Sequence, residues 1–165
     1  MDVNVFIKNW IDELRSSVNT GVKAGKRKPT IAIICLDSKA DEEFIKTCKD
    51  VGFIGEVYEV PTEEISQKDL FWKVLDIDTD GVYVQEPLPE GYSNPLDMGK
   101  FAATGIKVYL DANGVDPQMR NLTIAVAAEG YNVMCAGITL EKEVIDKLSK
   151  IALLENAVKE WKDEN

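Results

Sequence analysis

The residues most able to do chemistry lie in Asp80-Gly81-Val82-Tyr83-Val84-Gln85-Glu86-Pro87-Leu88-Pro89. A short apolar, β-branched run ends in a glutamine and then in Pro-x-Pro. The run reads as a buried strand. The prolines stop it, because proline has no N–H to give a sheet ladder. Gln85 is therefore delivered to the carboxyl end of a strand, the edge where open α/β sheets bind ligands. Its amide donates and accepts at once, which suits a ligand that displays both kinds of group. The chain contains no histidine. Ser-His-Asp and Cys-His catalysis and histidine-ligated metals are excluded, and no metal site is expected. Chemistry would have to come from Lys, Asp, Glu, Tyr, Cys or bound water. A lysine held in a dry pocket has a lowered pKa and could serve as an acid or base.

The elements that must position these residues follow from periodicity. Residues 3 to 22 read as an amphipathic helix, with Phe6, Trp10, Leu14 and Val18 four apart. Residues 30 to 35 are continuously apolar, as in a strand buried on both faces. Residues 41 to 51 read as a helix ended near Gly52, with Asp37 and Asp41 as capping residues. A second strand spans 56 to 60 and stops at Pro61. Thr62-Glu63-Glu64 opens a third helical region that contains Leu70, Phe71, Val74 and Leu75. Strands alternating with helices imply parallel pairing through right-handed crossovers. The predicted fold is a three-layer α/β/α sandwich with a mainly parallel sheet.

Beyond Gln85 the pattern weakens. Residues 106 to 110 suit a short strand and Asp111-Ala112-Asn113-Gly114 a turn. Residues 123 to 128 and 131 to 135 read as a hairpin or as further strands; periodicity does not choose. Thr139 reads as an N-cap. Val144, Leu148, Ile151, Leu154, Val158 and Trp161 recur at helical spacing, for a last helix of about 20 residues, or about 30 Å.

With 165 residues the chain suits one domain with a real core. A formal net charge of −10, from 19 basic and 29 acidic residues, argues against nucleic acid as a partner. The basic cluster from Lys23 to Lys28 reads as a solvated loop. No apolar run approaches the about 20 residues of a membrane span. No signal peptide is evident, and a cytoplasmic location is the default expectation. The three cysteines, Cys35, Cys48 and Cys135, stand at no metal-like spacing and read as buried or free thiols. Neither a G-x-G-x-x-G turn nor a P-loop occurs. Gly52 and Gly55 form only an isolated G-x-x-G, which reads as a helix cap and a turn.

The stretch Val82-Tyr83-Val84-Gln85-Glu86-Pro87-Leu88-Pro89, preceded by Asp80-Gly81, resembles the V-Q-L-P-L-P motif of the bifunctional methylenetetrahydrofolate dehydrogenase/cyclohydrolase family. The leading helix, Lys28-Pro29-Thr30-Ile31-Ala32-Ile33-Ile34, the helix ending at Val51-Gly52-Phe53, and Pro61-Thr62 resemble that family's folate-binding domain. Asp111 to Pro117 resembles its K-D-V-D-G-x-x-P loop. Residues 151 to 158 resemble its C-terminal helix, which folds back on the folate-binding domain. The resemblance implies one α/β domain over 1–165, with a folate-binding-like region at 3–117. It also implies a short remnant or insertion at 118–140 and a returning helix at 141–162.

The departures from the family pattern carry as much information. Phe44 takes the position of the family's site tyrosine and keeps only the capacity to stack on a planar ligand. Cys48 stands where the catalytic lysine is expected, unless a shifted alignment brings Lys46 or Lys49 to the site. The spacing to Gly52 is about one helical turn short of the family's. Asn113 falls on the family's site aspartate. The NAD(P)-binding domain has no room in residues 118–140. The resemblance thus implies a ligand site of Phe44, Cys48, Gln85, Pro87 and Asn113, with Lys46 or Lys49 as the acid/base. Neither NADP nor another cofactor is expected, and a tetrahydrofolate derivative or other planar ligand, its pterin matching the Gln85 amide, is the expected partner. The leading expectation is a truncated relative that binds such a ligand without oxidising it. Alternatives are a surviving methenyltetrahydrofolate cyclohydrolase and a non-enzymatic interaction domain, a homodimer held by exposed residues such as Trp161.

Overall fold

The computed structural model describes residues 1–164. Their contacts gather into two compact units. One comprises residues 11–96 and 154–164, the other residues 1–10 and 97–153. The helices α1 (Val3–Lys23) and α6 (Lys142–Asp163) contribute to both.

The first unit holds the sheet. Strand β1 (Thr30–Leu36) is its centre, with Ile31, Ala32, Ile33, Ile34, Cys35 and Leu36 all buried. Burying an isoleucine side chain is worth about 1.5–3 kcal/mol, so the continuous apolar run makes β1 the anchor of the unit. Strands β2 (Ile54–Val60) and β3 (Gly81–Val84) pair with it in parallel on either side, in the order β2-β1-β3. Because the chain leaves β1 in one direction and returns past it to β3, right-handed crossovers must place the two connecting helices on opposite faces.

The contacts agree with that rule. On one face Ile34, Leu36 and Val84 form a core with Ile65 and with Leu70 of α3 (Gln67–Asp76). On the other face Tyr83 meets Phe44 of α2 (Glu42–Val51) at 4.6 Å between ring centroids. A Cβ on Gly81 would stand 2.7 Å from the Cβ of Ala157, so α6 lies directly against this end of β3. The result is a parallel three-stranded sheet between helical layers.

Local chemistry fixes the helix ends. Asp41 caps α2 by accepting from the Glu43 N–H, and Gly52 ends it in the left-handed region at φ 111°. The third helix starts later than expected. Residues 62–64 form a single 3-10 turn, and α3 begins at Gln67. Ser66 and Asp69 bond each other's backbone in a capping box, which defines that start.

Of the basic cluster, Lys23, Arg27 and Lys28 are exposed, and Lys26 is tied down. Lys26 Nζ donates to the carbonyls of Trp161 and Glu164 at the end of α6, a favourable place for a cation. The Trp161 expectation is also corrected. The indole is fully buried, donates to the Arg27 carbonyl at 2.8 Å, and packs so closely on Gly21 that a Cβ there would be 2.3 Å away. Trp161 is an internal anchor of α6 and offers nothing to a second subunit.

The second unit is mainly helical. Residues 106–110 are not a strand; they belong to α4 (Met98–Ala112). Ile106, Tyr109 and Leu110 are buried at i, i+3 and i+4, a helical face that a five-residue apolar window hides. Residues 123–127 are likewise in a helix, α5 (Pro117–Ala127), with Asp116 as N-cap and Pro117 opening the first turn. Strands β4 (Val133–Cys135) and β5 (Ile138–Leu140) form an antiparallel hairpin. Thr139 therefore lies in β5, and α6 starts at Lys142, whose N–H is received by the Asn132 side chain. Tyr109 packs on Phe6 at 5.0 Å and donates to the Met1 carbonyl.

Candidate functional site

The strand order places a switch point at the carboxyl ends of β1 and β3, where the chain leaves β1 toward one side and reaches β3 on the other. Crevices of this kind bind ligands in open α/β sheets. The segment after β1, residues 37–41, occupies this edge, and all three strand ends reach it. From β3, Gln85 Oε1 accepts from the Asp41 N–H at 2.8 Å. Its Nε2 donates to the Lys39 carbonyl at 2.8 Å and to Ser38 Oγ at 3.4 Å. From β2, the Glu59 carboxylate accepts from the Ala40 N–H at 3.0 Å. Beyond β2, Thr62 donates its N–H and hydroxyl to Asp37 at 2.8 and 2.9 Å. Asp37 itself sits at φ 52°. It ties two loops together, while Asp41 alone caps α2.

The segment after Gln85 is held as firmly. The Glu86–Pro87 peptide is cis. Asn94 Nδ2 donates to the Glu86 carboxylate at 2.9 Å. Gln67 and Ser93 exchange two hydrogen bonds, and the Tyr92 hydroxyl donates to the Ile65 carbonyl. Two fixed loops, 37–41 and 85–96, thus flank the switch point.

The candidate residues separate in this frame. Gln85 is half-buried between the loops, and Pro87 is exposed on the second loop. Phe44 and Cys48 share the buried face of α2, at 4% and 2% exposure. Burial pushes the Cys48 thiol up to about 12, so it is not a nucleophile at neutral pH. Cys35, under the same burial beside Glu59, is pushed up to about 11. Lys46 and Lys49 lie on the exposed side of α2. Lys49 borders a small pocket of about 160 Å³ with Ile33, Ile45, Cys48, Gly55 and Val57, on the flank of the sheet. Asn113 belongs to the helical unit, where it ends α4. Its Nδ2 donates to the Tyr109 carbonyl and its Oδ1 accepts from the Met1 ammonium at 2.9 Å.

Sequence reading missed the role of Ser38, Lys39 and Ala40, the backbone that Gln85 and Glu59 grip. The available signal was their place directly after the central strand. Among the described residues no group of three or more His, Cys, Asp or Glu could hold a metal ion, and no helix is long and apolar enough to cross a membrane.

What the arrangement offers is shape and hydrogen bonding. The Gln85 amide spends its capacity on loop 37–41, so it sets the shape of that loop. Residues 37–41 and 85–87 follow the ends of β1 and β3 at this edge.

No family model matches the chain. Solved structures do. The chain is similar to the bifunctional enzyme FolD, a methylenetetrahydrofolate dehydrogenase/cyclohydrolase, from Campylobacter jejuni, at TM-score 0.68 and 15% identity over 98% of each chain. A bifunctional 5,10-methylenetetrahydrofolate dehydrogenase/cyclohydrolase from Thermoplasma acidophilum gives TM-score 0.55 and 13% identity, over 94% of this chain and 95% of that one. A 5,10-methylenetetrahydrofolate dehydrogenase from the silkworm Bombyx mori gives TM-score 0.55 and 18% identity, over 70% of this chain. That match spans 52%, about half, of the silkworm protein. At these identities the likeness establishes the fold: an α/β architecture shared with methylenetetrahydrofolate dehydrogenases and cyclohydrolases.

Proposed function

We propose that this protein binds a folate-like or other planar heterocyclic ligand at the carboxyl edge of its sheet, without nicotinamide-dependent oxidation. The observation that carries this reading is the Gln85 clamp. It joins the exits of β1 and β3 at the switch point and gives the edge a fixed outline. Similarity to structures named as methylenetetrahydrofolate dehydrogenases and cyclohydrolases supports the ligand class. The chemistry of the site supports binding over turnover. Phe44 has no hydroxyl, Cys48 is an inert thiol, and Lys46 and Lys49 are solvated. No glycine-rich strand–helix turn for a dinucleotide occurs in the sequence.

Isothermal titration with 5-formyltetrahydrofolate tests the proposal. Binding at micromolar to sub-millimolar ligand is expected, weakened at least tenfold by Gln85→Ala, with no turnover of methenyltetrahydrofolate above the buffer rate. No heat at millimolar ligand removes the folate assignment. Hydrolysis of methenyltetrahydrofolate above buffer that is lost in Lys46→Ala or Lys49→Ala would replace binding with cyclohydrolase activity.

A further inference from the structure

The small pocket on the flank of the sheet has no part in the ligand edge. It lies between α2 and β2 and measures about 160 Å³. Ile33 and Cys48, both almost fully buried, form its floor. Ile45 and Val57 form its sides, and Gly55 and Lys49 complete the lining. Burial keeps the Cys48 thiol neutral, so it counts as a small apolar group. The lining is therefore apolar except for Lys49, which is exposed. A lysine in such a place lays its stem along apolar surface and holds its ammonium in water. Among the described residues no ion pair or hydrogen bond engages that ammonium. On the same face of β2, the Glu59 carboxylate is directed elsewhere and accepts from the Ala40 N–H.

Gly55 creates the space. A glycine inside a strand weakens it, and it commonly marks a bulge, a tight bend or a place where a ligand comes close. There is no bulge here, because Ile31 pairs with Gly55 and Ala32 with Glu56 in unbroken register. The backbone does not require glycine either, since Gly55 lies outside the left-handed region. A Cβ at this position would meet nothing within 4 Å. A β-branched residue would suit the strand and fill the gap. What glycine provides here is volume.

We propose that this pocket binds a small apolar carboxylate, with its hydrocarbon body over Gly55 and its carboxylate beside the Lys49 ammonium. This inference is independent of the ligand reading at the sheet edge. An apolar cavity of about 150 Å³ stays dry and takes up benzene, so this pocket has room for a body of about six carbons. Burial of that body supplies the affinity. Lys49 stands in water at the rim, where an ion pair adds little affinity but favours an anion over a neutral or cationic head. The apolar lining selects the body, and the single cation selects the head.

Two-dimensional NMR titration of the full chain with hexanoate tests the site. Amide shifts are expected at Ile45, Cys48, Lys49, Gly55 and Val57, with a Kd of about 1 mM. Butanoate, shorter by two methylenes, should bind about tenfold more weakly. Lys49→Met keeps the stem and removes the charge. It should weaken hexanoate about threefold and leave hexanol unchanged. Gly55→Val fills the pocket with a residue that strands favour. It should weaken hexanoate at least tenfold while Tm holds or rises, which separates a filled pocket from a damaged fold. Hexanoate that shifts none of these amides at ten times the expected Kd overturns the proposal. Hexanoate binding that survives Gly55→Val does the same. Hexanol binding the wild type as tightly as hexanoate overturns the carboxylate assignment. If Gly55→Val does not fold, the chain-length series on the wild type and Lys49→Met decide.

Discussion

Replacing Gln85 by alanine isolates the clamp at the sheet edge. The amide makes two short hydrogen bonds, to the Asp41 N–H and the Lys39 carbonyl, both at 2.8 Å, and a longer one to Ser38 Oγ. A typical internal hydrogen bond contributes about 0.5–1.5 kcal/mol net, which puts the two short ones at about 1–3 kcal/mol. Residues 38, 39 and 41 are exposed, so the freed groups recover water, and the lower part of that range applies. Gln85→Ala is therefore expected to cost about 1–2 kcal/mol. At about 2–4 °C per kcal/mol for a chain of this size, Tm should fall by about 2–8 °C. Differential scanning calorimetry reads the first quantity. Amide hydrogen exchange reads the second consequence, faster exchange at Asp41 with little change in the centre of β1. Gln85→Glu sharpens the test. Its carboxylate still accepts from Asp41 but faces the Lys39 carbonyl, so this variant should recover stability relative to wild type as the acid protonates at low pH. An alanine variant that melts within about 1 °C of wild type, with Asp41 exchange unaltered, would refute the clamp.

Two further outcomes complement the ligand and pocket tests. Burial would raise the Asp80 carboxyl, but the bidentate Arg27 guanidinium and the Thr30 N–H outweigh it and hold it below the ordinary range. A depressed acid adds stability above about pH 4 that is lost as pH falls through its folded value. The stability difference between wild type and Asp80→Asn, about 1–2 kcal/mol at neutral pH, should thus shrink steadily in acid urea melts; a difference that stays constant down to about pH 2.5 contradicts this linkage. Cys48 and Cys35, buried with thiols pushed up to about 12 and 11, should resist iodoacetamide at pH 8 until guanidinium unfolds the chain. Stoichiometric labelling of the native protein at either residue would show that α2 opens readily.

The same chemistry explains which features were legible in the chain. The run at residues 31–35 reads as a doubly buried strand, because it is short, apolar, rich in β-branched residues and follows Pro29. Asp41 and Gly52 announced both ends of α2, because caps act within one helical turn. The recurrence from Val144 to Trp161 gave α6, and the prolines after Gln85 gave the end of β3. These signals are local, set by backbone geometry and by a period of two or about 3.6 residues.

Tertiary structure decided the rest. The residues 106–110 became helical because Ile106, Tyr109 and Leu110 found one common core, which their own window cannot display. Trp161 turned inward because Gly21 leaves room for its ring and Arg27 offers a carbonyl. The partner of the Gln85 amide stands 44 residues away in the chain. Sequence alone delivered that amide to the edge of a sheet. Only the order β2-β1-β3 brought loop 37–41 beside it, and hydrogen bonding at that distance depends on the fold, since no local pattern encodes which distant backbone groups a side chain will meet.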